Sequence, residues 1–355
     1  MSKSETDARV RAAFERQAGS CVDLGSPFTA WLCENFARDL DPRYGPDAAI
    51  LGWPGDPSSD GESVPLRVCG ALHWLALTGE NASLAEIYKH LAATPAVWDQ
   101  VFAAWRLEAD HILKFIKSPP QTNEVARSSM VICGFGRIAA LSDRPLSIFE
   151  FGASAGLNLN AVRYAYRFGD RALGDDDSDV QLQPEWRGHR YTDPMPEIMS
   201  SRGCDLRPLD LRQPEAARRL LSYIWPDQPQ RIKRTKAALQ VASNHPPSVE
   251  KAEGLSWIAE HLTNPSPGYV RVLYSTIAWQ YLSPEKRKEG AAIIARIGHR
   301  ATLENPLAWL RVEADGVGSG AAMTLDWWPG TGNHEQHLLG RADFHGRWID
   351  WRPDQ

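Results

Sequence analysis

Glu150, Gly152, Ser154 and Gly156 fall within seven residues, between the apolar run Leu146-Ser147-Ile148-Phe149-Glu150-Phe151 and a second apolar-periodic stretch, Leu157 to Tyr166. A strand that ends near a carboxylate and turns through two glycines presents an acceptor at the carboxyl edge of a sheet. The missing β-carbons let backbone and ligand approach, an arrangement that can hold a nucleoside cofactor. The same turn, Gly152-Ala153-Ser154-Ala155-Gly156, also spells Gly-x-Ser-x-Gly. In a hydrolase elbow of that pattern Ser154 would be the nucleophile, with Asp326 and His345 following in the required chain order. A second polar cluster, Gln121, Asn123, Glu124 and Arg127, follows the break Ser118-Pro119-Pro120. Ligand contact and helix capping are competing explanations for it, since Asn123 and Thr122 are both N-cap types. Asn158 and Asn160 either orient a ligand or satisfy backbone groups.

The elements that must position these residues change character along the chain. Helical apolar spacing marks Ala8 to Ala18, Phe28 to Leu40, Val68 to Leu77, Leu84 to Leu91 and Val97 to Ile116, interrupted by a Pro-, Gly- and Asp-rich loop over 41–65. A helix is expected from the 121–125 cluster through Leu141. After Asp143-Arg144-Pro145 strands alternate with helices: a strand at 146–151, a helix over Leu157 to Tyr166, a hairpin near Val180 to Arg190, a strand ending at Gly203-Cys204-Asp205, a long helical region from Pro214 to Ala242, a strand at 270–274 and a helix over Pro284 to Ile297. The tail, at 309–312, 323–327 and 338–351, reads as strands with Gly-rich turns. The expected architecture is therefore α/β: a helical N-terminal cap over 1–120, then a Rossmann-like, mostly parallel sheet with an antiparallel C-terminal hairpin over 121–355.

Composition narrows the function classes. Of 355 residues, 43% are hydrophobic and 23% charged, which is globular rather than disordered. Thirty-nine Lys and Arg against 44 Asp and Glu give a net charge of −5, a field that disfavours polyanions. The basic run Arg231, Lys233, Arg234 and Lys236 reads as a solvated helix face. Five cysteines without a Cys-x-x-Cys pair point to reduced core thiols rather than a disulfide frame or zinc cage. His334-Glu335-Gln336-His337 lacks the spacing of a helical zinc pair, so no metal is expected. No apolar run approaches the ~20 residues of a membrane span, and the first residues have no signal-peptide core, so a cytoplasmic location is expected.

Glu-x-Gly-x-Ser-x-Gly departs from the dinucleotide fingerprint Gly-x-Gly-x-x-Gly and is similar to motif one of class I S-adenosylmethionine-dependent methyltransferases. The resemblance implies S-adenosylmethionine as cofactor, with Glu150 near its methionine part and Gly152, Ser154, Gly156 and Asn158 lining it. It further implies Asp205 on the ribose hydroxyls, Glu253 at the adenine edge and Ser275 where donor and acceptor meet, although a turn or capping role explains Asp205 equally and a solvated turn is the favoured reading of Glu253. Gln121, Asn123, Arg127 and Gln280 become candidate substrate contacts, and Glu124 and Tyr281 candidate catalytic groups. Methylation of nucleic acid is disfavoured: no cysteine follows a proline, and Ser275-Thr276-Ile277-Ala278 stands where an Asp/Asn-Pro-Pro-Tyr/Phe motif would be. The acceptor is then a small molecule or a protein. A regulator that binds S-adenosylmethionine without turnover is a further alternative. Together with Gly203-Cys204-Asp205-Leu206-Arg207-Pro208-Leu209-Asp210, Trp225-Pro226-Asp227-Gln228 and Trp279-Gln280-Tyr281-Leu282, the pattern over nearly the whole chain resembles a bacterial family catalogued only as a domain of unknown function, of DUF2332 type.

Overall fold

In the computed structural model, which describes residues 3–264 and 267–353, the apolar run at Leu146–Phe151 is strand β1, buried along its whole length. Only a strand flanked by parallel neighbours and covered on both faces takes so continuous an apolar pattern. The remaining strands of its sheet are β2 (Glu185–Gly188), β3 (Ile198–Asp205), β4 (Val249–Lys251), β5 (Val270–Thr276), β6 (Leu307–Glu313), β7 (Ala321–Trp328), β8 (Glu335–Ala342) and β9 (Trp348–Trp351), in spatial order β2-β9-β8-β7-β6-β5-β1-β3-β4. Strands β4, β3, β1, β5 and β6 run parallel. From β6 to β9 the chain turns back on itself as an antiparallel meander, and β2 pairs parallel on the outer edge. The chain leaves β1 toward β3 and β4, then crosses back to β5 on the other side of β1. The carboxyl ends of β1 and β5 therefore form a topological switch point, where open α/β sheets bind ligands.

The two faces of β1 follow its alternation. Phe149 and Phe151 pack with Leu273, Trp257, Ile258 and Ile294, the last three from helices Gly254–Thr263 and Pro284–Gly298. Each such side chain contributes about 1.5–3 kcal/mol by leaving water. Glu150 lies on the opposite face, level with Tyr274, whose ring meets Phe135 of helix Ser128–Leu141 edge-on at 5.2 Å. A carboxyl thus occupies a position that alternation assigns to the core.

The chain divides into two compact units, residues 1–122 with 213–233, and residues 123–212 with 234–355. In the first, helices Lys3–Asp23, Pro27–Asp39, Val64–Thr78, Ala82–His90 and Pro95–Leu107 enclose an aromatic core in which Phe36 meets Phe14, Trp98 and Trp105. Residues 213–233 join it through Tyr223 and Trp225 in that core and through Asp227, whose carboxylate accepts from Ser26 Oγ and from the Phe28 amide at 2.8 Å. The second unit holds the nine-stranded sheet and a small one of 165–168, 171–174 and 181–182.

Four local expectations change. Leu157 to Tyr166 is not an amphipathic helix but a 3-10 helix, Leu157–Arg163, followed by a strand. The hydroxyls of Tyr164 and Tyr166 donate to the carbonyls of Leu157 and Ala161 at 2.6 and 2.5 Å, and Asn158 and Asn160 are weak helix formers. No hairpin forms near Val180 to Arg190, because Gln181–Leu182 and Glu185–Gly188 pair in different sheets. The region Pro214 to Ala242 breaks at Tyr223–Gln228: the first helix ends at Ser222, Pro226 lies in the break, and Pro229 starts the next helix. The loop over 41–65 contains a short helix, Gly45–Leu51. All five cysteines are buried free thiols, and most of the tryptophans are core residues.

Candidate functional site

At the carboxyl end of β1 the backbone passes through three left-handed residues, Gly152 (φ +75°), Ser154 (φ +53°) and Gly156 (φ +74°). Glycine adopts this conformation freely, whereas Ser154 does so at a cost. The turn is fastened by its amides. Gly152 and Ala153 both donate to the Cys204 carbonyl at 3.0 Å, and the Ser154 amide donates to Asp205 Oδ2 at 2.9 Å. The other Asp205 oxygen accepts the Arg207 amide at 2.8 Å. The two glycines are also demanded by packing: a β-carbon on Gly152 would lie 2.6 Å from Ala278 Cβ, and one on Gly156 2.6 Å from Val249 Cγ2 and 2.7 Å from Pro247 Cβ.

Glu150 is the chemical centre of this edge. It is 2% exposed, and its Oε2 has no hydrogen-bond partner among the described residues. Burial raises its pKa to about 8; nearby Asp205 adds to the rise, while Tyr274 and Arg127 act against it. The Ser154 hydroxyl is likewise buried without a hydrogen-bond partner among the described residues, whereas the Tyr274 hydroxyl faces Glu150 and that of Ser275, on the opposite face of β5, faces Glu313. Native interiors pair nearly all such atoms, which makes this strand edge the candidate site.

The polar cluster before β1 reaches the same turn. Asn123 Oδ1 accepts the Leu157 amide at 2.9 Å, taking the donor that follows Gly156. Glu124, 6% exposed, accepts the Ala126 amide at 3.1 Å and pairs with Arg234 at 3.0 Å. Arg127 donates to the carbonyls of Thr276 (3.2 Å) and Phe344 (2.9 Å), linking the ends of β5 and β8. Asn158 accepts from the Ser128 hydroxyl at 2.7 Å, and Asn160 donates to the His245 carbonyl at 3.0 Å. Gln121 belongs to the first unit.

The remaining candidates spread further. Glu253 caps helix Gly254–Thr263 by accepting the Ser256 amide at 2.9 Å, which holds its pKa down. Gln280 Oε1 accepts the Ala314 amide at 3.0 Å, and Tyr281 is 68% exposed. His334 bonds Asp326 at 2.8 Å, and Arg311 binds the same carboxylate, so Asp326 is engaged away from Ser154. Among the described residues no cluster of His, Cys, Asp and Glu could hold a metal.

Sequence reasoning missed Glu313. Its half-buried carboxylate accepts the amides of Ala278 (3.2 and 3.1 Å to its two oxygens), Trp279 (3.1 Å) and Gln280 (3.3 Å), fixing the loop that follows β5 and the left-handed Ile277 within it. Burial raises its pKa, and the Ser275 hydroxyl and those amides act to lower it. The available signal was a carboxylate closing the apolar strand Leu307–Glu313. Tyr274 and Arg234 were missed as well; neither residue type distinguishes itself from strand core or helix surface without the tertiary partner.

Comparisons with known proteins place this geometry in a family without assigning it a chemistry. A family model described as an uncharacterized protein conserved in bacteria (DUF2332) matches residues 11–351. No curated protein and no solved structure matches the chain. Among the described residues no helix is long and apolar enough to cross a membrane.

Proposed function

We propose that this chain, which belongs to that uncharacterised bacterial family, is an S-adenosylmethionine-dependent methyltransferase with its cofactor at the carboxyl edge of β1 and β5. Glu150 carries the reading: a buried carboxyl with an unpartnered oxygen, beside a left-handed turn at the switch point. A phosphate-bearing cofactor fits poorly, because phosphates are held by free amides at the start of a regular helix. Here a short 3-10 helix follows the turn, and Asn123 occupies the Leu157 amide. A cofactor with sulfonium and ammonium charges and no phosphate suits the same residues, since a cation favours the ionised carboxylate. Asp205, with two amides already on its oxygens, retains acceptor capacity for hydroxyls.

S-adenosylmethionine supplies a methyl group that is already activated, so the chain's residues have chiefly to align an acceptor and exclude water. A proton acceptor is needed only where the methyl acceptor carries a proton. Tyr281 on the loop after β5 and Glu124 remain the candidates, for a small molecule or a protein. Calorimetry tests the cofactor: S-adenosylmethionine and S-adenosylhomocysteine should bind and NAD should not. Glu150→Gln should weaken S-adenosylmethionine at least tenfold. NAD binding, or no binding of either methionine-derived ligand, refutes the proposal. Stoichiometric binding without methyl transfer to any acceptor pool would identify a regulator instead.

One observation favours a second reading. Ser154 has φ +53° and a buried, unpartnered hydroxyl, as a strained nucleophile elbow requires. Against it, no histidine bonds Ser154 Oγ. Covalent labelling of Ser154 by a fluorophosphonate would decide for the hydrolase.

A further inference from the structure

We infer that the second unit carries a separate oxyanion site at the amino edge of the parallel strands, built around Arg271 and taking a phosphate group. A cavity of about 190 Å³ opens there, lined by Thr263, Arg271, Ile297, Arg300, Thr302 and Asn305. This far exceeds the ~30 Å³ share of one water and accommodates a phosphate-sized ion. Among the described residues the lining holds two guanidinium groups, two hydroxyls and an amide, and no carboxylate.

Arg271 makes the site more than a dent. It is the second residue of β5 and only 3% exposed. Its side chain donates to the Leu262 carbonyl, at the end of helix Gly254–Thr263, and to the Asn305 carbonyl at 3.3 Å. Its Nε has no acceptor among the described residues. Two carbonyls explain the direction of the side chain but supply no counter-charge beyond partial dipoles. Burial alone depresses its pKa, to about 10, with no neighbouring anion acting in the opposite sense. Buried charges are ordinarily paired, and a guanidinium beside an open polar cavity is the arrangement that recognises oxyanions. Arg300, exposed at the same cavity, adds the second cation that a dianion requires.

Titration calorimetry on the full chain with inorganic phosphate, chloride holding the ionic strength constant, tests the site. Saturable binding is expected, weakened at least tenfold by Arg271→Met and about threefold by Arg300→Ala, and unaltered by Glu150→Gln. Arg300→Ala decides if Arg271→Met fails to fold, because Arg300 is a surface residue. Absence of saturable phosphate binding, or wild-type affinity in Arg300→Ala and in folded Arg271→Met, overturns the inference. Acetate serves as the carboxylate arm, and tighter binding of acetate than of phosphate overturns the phosphate assignment.

Discussion

Glu150→Gln tests the candidate site without any assumption about catalysis. The folded carboxyl has a pKa of about 8, against an ordinary value of 4.5, and burial is the main cause. The folded state therefore holds its proton more tightly than the unfolded chain. The stabilising contribution is fully present below the unfolded value and is lost as pH rises through the folded one. At 1.36 kcal/mol per unit, the change between pH of about 5.5 and about 8 amounts to about 3 kcal/mol. The glutamine variant keeps the shape and lacks the titration, so the difference between the two proteins isolates this group from Glu313 and every other carboxyl. Hydrogen exchange of the β1 amides, followed in urea at closely spaced pH values, reads the stability of the sheet unit specifically. Wild type should lose about 3 kcal/mol relative to Glu150→Gln across that interval. With S-adenosylmethionine present the trend should reverse, the affinity of wild type rising with pH up to about 8 while that of the variant stays flat. Parallel stability curves, or a wild type that gains on the variant as pH rises, would refute the claim that Glu150 is a buried, neutral acid awaiting a cation.

The other expectations concern the frame around Glu150. Glu124→Gln should cost about 1–3 kcal/mol, because a charged partner of Arg234 is replaced by a neutral one, and urea unfolding measures it. Asn123→Ala should cost a similar ~1–3 kcal/mol by stranding the buried Leu157 amide; a loss below about 0.5 kcal/mol would show that water replaces it. Glu313→Ala removes the acceptor of three consecutive amides and should both destabilise the sheet unit by at least about 2 kcal/mol and speed chymotrypsin cleavage at the exposed Tyr281. Unchanged cleavage would mean that the loop after β5 holds its shape without the carboxylate. Ser154→Ala should leave most cofactor affinity intact, and wild type should resist a fluorophosphonate probe.

Much of this architecture is legible in the residues. β1 was bounded correctly because a six-residue apolar run between Pro145 and Gly152 admits little else. The tail strands announced themselves by alternation and Gly-rich turns. Failures came where tertiary partners override local preference. Tyr164 and Tyr166 claim the carbonyls that a helix over 157–166 would need, and Glu185–Gly188 finds its partner strand more than 150 residues away, at Trp348–Trp351. At the site, the types and order of Glu150, Ser154 and Asn123 were visible, but not that Asn123 ties the turn after Gly156. Glu313 was invisible for the same reason: a carboxylate becomes distinctive only when three amides from a different strand end converge on it.

That distinction changes where the motif's information lies. Read as sequence, Gly152 and Gly156 are the signature, left bare for a ligand's approach. In the folded chain both are already required by neighbours of their own, Ala278 against one and Pro247 and Val249 against the other, at distances no β-carbon tolerates. A valine at Gly156 would therefore disrupt the turn whether or not a ligand binds beside it, and its loss of binding would prove nothing about a cofactor. The residues that packing does not explain are Glu150 and Ser154: one carries a buried acid with a free oxygen, the other a strained backbone and a free hydroxyl. Strain and unpaired polar burial each cost free energy, and on the proposed reading a bound cofactor offsets that cost. Function at this edge is accordingly to be sought in the carboxyl and the hydroxyl, with the glycines as the means by which the chain brings them together.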